Sequence, residues 1–270
     1  MSKKIKFILW IVVAVVTVIA IAILGTRFIQ SKTVDTVHPI VTFDIENYGK
    51  VKAELYPEYA PTTVTNIVAL VKSGYYENKV IYGKDAICLY LGRDKDGNVA
   101  DPTVNLIDPN VAADSEENFE YTIPGEFNAN GYKDNTLRHE KGVLSLIRND
   151  YTQSITGLYQ ESYNSGNSQI GIMIGDDSSN LNGVYAAFGR VIEGLDILET
   201  IYDKNEIAEP EKNEDGTVQE SPIEKFKFTP IIKSATVDTF GVEFGVPVYQ
   251  EAFDYESYMY DLINTQYGQN

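Results

Sequence analysis

From Ser168 to Gly194 the chain reads SQIGIMIGDDSSNLNGVYAAFGRVIEG. Two short runs rich in β-branched and aromatic residues, QIGIMI and YAAFGRV, are separated by an Asp/Ser/Asn-rich loop that ends in Leu181-Asn182-Gly183. Runs of this length and composition, bounded by turn residues, read as strands. Outward from this pair the same signal recurs in AICLYL at Ala86, FEYTI at Phe119, VLSLI at Val143 and, late in the chain, IIKSATVDTF at Ile231. Near the start of the folded part, Val41, Phe43 and Ile45 alternate with polar residues, as do Val51, Ala53 and Leu55 after the Asn47-Tyr48-Gly49 turn, which predicts a hairpin. Pro61 with Thr62 and Thr63 opens a helix whose stripe is Val64, Ile67, Val68 and Val71, ended by Gly74. A second helix is expected after Gly194, with Leu195, Leu198, Ile201 and Tyr202 inward. The fold class is therefore mainly β with two helices; periodicity alone does not separate a closed barrel from a sandwich.

The Ser-Gln strand, the Leu-x-Gly loop and the YAAFGRVIEG strand together resemble the core of the cyclophilin-type peptidyl-prolyl isomerases. Three further segments agree in order and spacing: YPEYAPTTVTNIVALVKSGYY from Tyr56, YTIPGEF from Tyr121 and HEKGVLSLI from His139. The resemblance runs from about Val41 to Phe240. It implies a closed antiparallel eight-stranded barrel with a helix capping each open end, residues 39–240 forming that domain. It also implies a groove that binds proline-containing segments and catalyses their cis–trans isomerisation without cofactor or metal.

Within that family a proline ring enters a pocket of two Phe and a Met, a Gln positions the peptide backbone, and an Arg donates to the prolyl nitrogen. Transferred position by position, the resemblance keeps Gln169 and places Leu181 where the pocket Leu belongs. The Met position is Leu89; the two Phe positions are Cys88 and Gly171, which implies a wider and less aromatic pocket. A second Gln position is Leu91, a Trp position Asn180 and a His position Tyr185. The family's Phe-His-Arg run falls on Ile81, Tyr82 and Gly83, so the arginine position holds glycine. Lys79, Lys84, Arg93 and Arg148 are the cations within reach in sequence. Arg148, at the end of VLSLI, is the best placed, although each is expected to be an exposed surface charge.

The N-terminus is different in kind. Lys3, Lys4 and Lys6, in a basic tip at 1–6, precede FILWIVVAVVTVIAIAILGT, residues 7–26, without a charge before Arg27. At about 1.5 Å per residue this helix would span roughly 30 Å, the thickness of a bilayer's hydrocarbon. The expectation is a single-pass anchor with the N-terminus cytoplasmic, a tether over 27–38, and the domain outside the cell membrane. The alternative is a cleaved signal peptide, cut after Ala20-Ile21-Ala22, and a secreted protein. All 39 acidic residues lie beyond residue 33 while five of the 22 basic ones precede it, so the exported part is more acidic than the chain's overall −17. Such a surface repels nucleic acid. Cys88 is the only cysteine, which excludes an internal disulfide. His38 and His139 are too far apart in the sequence pattern to suggest a metal site or a triad.

Three loops exceed the family pattern: 94–118, 149–167 and the acid-rich 203–224. The DKDGN run at Asp94 lacks the ligand spacing of a calcium loop and reads as a turn. Residues 241–270 form a tyrosine-rich acidic tail, with aromatics at 253, 255, 258 and 260, expected to form a helix that docks on its own barrel. Two functions stand from this reading. One is an anchored isomerase, of weak activity, assisting exported proteins. The other is a non-catalytic peptide-binding module at the cell surface, which the loss of arginine at Gly83 favours. Neither client proteins nor oligomeric state can be read from the sequence.

Overall fold

The computed structural model describes residues 37–98, 101–153, 157–175, 178–210, 212–213, 217–218 and 221–267. The anchor over 7–26, the cleavage alternative near Ala22 and most of the tether lie outside the described residues. Among the described residues, no helix is long and apolar enough to cross a membrane.

The expected hairpin forms from β1 (Ile40–Ile45) and β2 (Gly49–Leu55), with Phe43 opposite Val51. Asn47 and Gly49 take positive φ to close its turn, a conformation that Asn and Gly tolerate best. Then come α1 (Pro61–Lys72), β3 (Val80–Lys84), β4 (Cys88–Arg93), β5 (Tyr121–Thr122) and β6 (Val143–Leu146). A short α2 (Tyr159–Tyr163) precedes β7 (Ile170–Met173), β8 (Ala186–Glu193) and α3 (Leu195–Lys204). The chain ends with β9 (Glu224–Lys225), β10 (Ile232–Asp238), β11 (Gln250–Glu251) and α4 (Tyr255–Tyr267).

Nine strands form one curled sheet in the order β10-β1-β2-β8-β6-β7-β4-β3-β9. This corrects the expectation of a closed eight-stranded barrel. The seam between β3 and β10 carries no ladder, only the bridge between Val80 and Ile231 and a few flanking hydrogen bonds. The reason is competition for one edge: β9 pairs with β3 at Gly83 and Lys84 and leaves β10 only the first residues of that strand. The two expected helices are present, α4 lies in the tail where a helix was expected, and among the described residues the short α2 is the addition.

The concave face is apolar. Phe43, Leu55, Ile81, Leu89, Leu144, Ile170, Ile172 and Phe188 meet there, closed at the ends by Ile67 and Leu70 of α1 and by Leu198 and Ile201 of α3. Each such side chain contributes about 1.5–3 kcal/mol when fully buried. α1 lacks a side-chain cap of its own, because Ala60 holds the N-cap position. Glu126, from the YTIPGEF segment, supplies it: Oε1 accepts Thr62 N–H at 2.8 Å, and Oε2 accepts both Thr63 N–H and Thr63 Oγ1–H at 2.8 Å. Burial pushes this carboxyl above its ordinary range while the threonine donors pull it back.

The tail docks on the same domain. β11 pairs antiparallel with β5, Gln250 opposite Thr122. The rings of Phe253 and Tyr255 lie 5.4 and 5.0 Å from that of Tyr151 in the 149–167 loop. The Asp94 turn is closed by its own backbone, the carboxylate accepting Asp96 N–H at 2.9 Å and Asn98 N–H at 2.8 Å.

Candidate functional site

The convex face of the same strands carries a second apolar cluster: Val80 and Tyr82 of β3, Cys88 and Tyr90 of β4, Met173 of β7, Val143 and Ala187, with Ile147 and Leu181 packed against it. Strand alternation decides membership. Tyr82, Cys88 and Tyr90 point outward, so their neighbours Ile81, Leu89 and Leu91 point into the core. Leu89, expected to line the groove, is only 1% exposed and belongs to the interior.

Gln169, immediately before β7, is held from two sides. Its Oε1 accepts the Tyr82 hydroxyl at 2.9 Å and the Arg93 Nε–H at 3.2 Å. The Arg93 guanidinium lies 4.3 Å over the Tyr82 ring, which in turn stacks on Tyr90 at 6.0 Å. Burial raises the Tyr82 phenol to about 12, so it donates rather than ionises near neutral pH. With Oε1 committed twice, the network assigns the amide so that Nε2–H₂ is the group Gln169 presents. The strand start is anchored from beneath: Tyr76 Oη donates to the Ser168 carbonyl at 2.7 Å, and Asn66 Nδ2 donates to the Asn167 carbonyl.

Two vacancies inferred from sequence are filled. A Cβ built on Gly83 would stand 2.5 Å from the Glu224 carbonyl oxygen and 2.9 Å from Ile223 Cγ2, so β9 occupies the space beside the glycine at the arginine position. At Gly171 a Cβ would meet Ile147 Cδ1 at 2.8 Å and Cys88 Sγ at 3.7 Å. The pocket is thus less aromatic, as expected, but not wider: Ile147, the residue that follows β6, fills it. Cys88 packs against Met173, Sγ to Sδ 3.4 Å, and burial raises its thiol to about 12, so it is an inert core group.

The candidate cations divide. Lys84 turns away, donating to the Tyr202 carbonyl at 2.7 Å with its ammonium 4.4 Å from that ring. Lys79 sits over Tyr75 at 4.6 Å. Arg148 lies in an aromatic enclosure of Tyr185, Tyr163 and Phe127 at 4.5, 5.1 and 5.8 Å, with Nε donating to the Val184 carbonyl at 3.3 Å. Tyr185 is therefore a platform for Arg148. Arg93 is the cation in contact with Gln169, against the sequence preference for Arg148.

Leu181 is set by the Ser178–Gly183 loop, and that loop hangs on His139. The buried ring makes contacts of 3.2 Å from Nδ1 to Asn182 Oδ1 and 3.0 Å from Nε2 to Ser145 Oγ. Because Asn182 Oδ1 accepts, Nδ1 carries the proton and Nε2 accepts from Ser145. Burial lowers the His139 pKa below its ordinary 6.5. An unfolded chain then takes up a proton more readily than the folded one, so this stability is present above about pH 6.5 and lost as pH falls below it. Thermal melts should show a steeper decline from pH 7 to 5 for the wild type than for His139→Gln; parallel profiles would contradict this. Beside the loop, a recess of about 460 Å³ is lined by Asp85, Ala86, Ile87, Ser179, Asn180 and Pro222.

Residues 40–228 match the family described as cyclophilin type peptidyl-prolyl cis-trans isomerase/CLD. Among curated proteins, the chain is 25% identical over 155 residues to peptidyl-prolyl cis-trans isomerase-like 2 of Rhizopus delemar, spanning 57% of this chain and only 23% of that protein. Among solved structures, a Cryptosporidium parvum cyclophilin type peptidyl-prolyl cis-trans isomerase crystallised in the presence of the dipeptide Ala-Pro aligns with a TM-score of 0.46 and 21% identity, over 74% of this chain and 98% of that one. The same Cryptosporidium protein without the dipeptide gives 0.46 and 20%, over 74% and 98% of the two chains.

Proposed function

Because the chain belongs to the cyclophilin-type peptidyl-prolyl cis-trans isomerase family, we propose that it isomerises X-Pro bonds in exported proteins, working outside the cytoplasmic membrane. Export and anchoring rest on Lys3, Lys4 and Lys6 ahead of the uncharged stretch 7–26. The reaction makes and breaks no covalent bond. Its barrier of about 18–20 kcal/mol is amide resonance, which is lost as the C–N bond twists. A protein accelerates it by holding the peptide and binding the twisted state more tightly than either planar isomer.

The observation that carries this reading is the fixed amide of Gln169. Its Oε1 is taken by Tyr82 and Arg93, so Nε2–H₂ is the group left to donate to a substrate carbonyl. Ile147 and Leu181, both partly exposed, supply the apolar contact for a proline ring, with the buried Cys88 behind them. Turnover is proposed to be low, since Ile147 fills the space beside Gly171 and neither phenylalanine position holds an aromatic ring. The same filling by Ile147 favours, as second reading, a groove that binds proline segments without turning them over.

Gln169→Ala should weaken binding of a proline-containing peptide by about 0.5–1.5 kcal/mol, the worth of one ordinary hydrogen bond. That corresponds to roughly two- to twelve-fold in Kd. An NMR titration of the full-length protein checks it, and peptide-induced shifts confined to the tail or the acidic loops would move the site elsewhere. A proline-limited refolding assay on the same protein separates isomerase from binder.

A further inference from the structure

We infer that Arg93 on β4 is the groove's cation, donating to the prolyl nitrogen of the twisted peptide in place of the arginine that position 83 lacks. The inference rests on the isomerase reading above and adds the group that makes turnover possible.

Arg93 is where it is because of Gly92. That glycine has φ +113°, and a Cβ on it would lie 3.1 Å from the Ser168 carbonyl oxygen and 3.2 Å from Gln169 Cα. Only a residue without a side chain lets β4 turn and approach β7 this closely, which delivers the next side chain alongside Gln169. The guanidinium then stacks on Tyr82 at 4.3 Å and bonds Gln169 through Nε alone. Nη1 donates to the Gly97 carbonyl at 3.5 Å.

No carboxylate ion-pairs with Arg93 among the described residues, in a chain with 39 acidic side chains. Among the described residues its charge therefore has no ion-pair partner, beside the one amide that is oriented toward a peptide. The rivals are engaged elsewhere: Lys84 at the Tyr202 carbonyl, Arg148 between the Val184 and Asn149 carbonyls inside its aromatic enclosure.

As the X-Pro bond twists, the prolyl nitrogen becomes pyramidal and its lone pair becomes an acceptor. A planar guanidinium held edgewise to Gln169 donates to that lone pair while Gln169 holds the neighbouring carbonyl. No proton is transferred and no bond is formed or broken. The contact exists in the twisted state and is absent from both planar ones, so it acts on rate rather than affinity.

The test measures kcat/KM on an Ala-Pro peptide and Kd for the same peptide, using full-length wild type, Arg93→Gln, Arg93→Lys and Lys84→Gln. Arg93→Gln should lose about ten- to a hundred-fold in kcat/KM, the effect of one charge-assisted hydrogen bond in the transition state. Its Kd should move by less than about three-fold, because the planar substrate gains little from this donor. Arg93→Lys should fall between, a point charge without the planar fork. Lys84→Gln should match the wild type. An active wild type with an equally active Arg93→Gln overturns this inference and leaves the isomerase reading standing. A wild type that binds the peptide without turnover overturns both. Parallel loss in kcat/KM and Kd would make Arg93 a binding residue and also overturn the assignment.

Discussion

Glu126→Ala is expected to destabilise the domain by about 2–4 kcal/mol. Three donors in the first turn of α1 depend on this one carboxylate: the backbone N–H groups of Thr62 and Thr63 and the Thr63 hydroxyl. Each loses its partner at once, and an unsatisfied buried donor costs about 1–3 kcal/mol. No nearby residue takes over, since Ala60 has no polar side chain and Pro61 has no N–H. Glu126→Gln keeps one acceptor oxygen and should lose less, although its amide N–H₂ then faces a backbone N–H. Urea unfolding measures both, and a shift in midpoint equivalent to less than about 1 kcal/mol for the alanine variant would show that water replaces the carboxylate.

The second large effect concerns position 83. Gly83→Arg is the substitution that comparison with the family invites, and it is expected to damage the protein rather than to improve it. The first side-chain atom would be forced to 2.5 Å from the Glu224 carbonyl oxygen, a backbone atom that cannot rotate aside. Overpacking of this kind costs about 1–3 kcal/mol or more. The relief available is for β9 to leave β3, which would release the pairing of Gly83 with Lys225 and the Phe226 N–H donated to the Tyr82 carbonyl. Hydrogen exchange at Phe226 should accelerate and the melting temperature should fall, without a gain in isomerase rate. A stable Gly83→Arg protein with raised turnover would show that β9 yields easily and that the vacancy is functional after all.

These two sites show where sequence reasoning reaches and where it stops. The alternation of Val41, Phe43 and Ile45 and the stripe after Pro61 were legible because one buried face imposes a period on neighbouring residues. That same period, applied to β4, separates Cys88 and Tyr90 from Leu89, so the interior place of Leu89 was readable from spacing and missed by transferring positions one at a time. The filling of Gly171 by Ile147 was not readable. It is an exchange of volume between β7 and the residue that follows β6, and each residue taken alone signals only loss. β9 left no trace for a further reason: Glu224 and Lys225 are exposed and charged, and two residues cannot display a period. The seat of Glu126 beneath α1 joins residues more than sixty positions apart, and no local pattern encodes such a pairing. Arg93 did leave a signal, a glycine immediately before it, but its meaning depends on β7 lying alongside.

One of the two edge strands, β9, bears on how this protein behaves among copies of itself. A sheet whose ladder does not close offers its last strand as a template for a foreign one. Here that strand is two residues long, both charged. Its outer side is already engaged, because Ala208 N–H donates to the Lys225 carbonyl and Lys227 N–H to the Glu206 carbonyl. The acid-rich loop thus folds back on the border it creates, and a second molecule approaching that border meets spent hydrogen bonds and like charge. At this edge the domain keeps its sheet to itself.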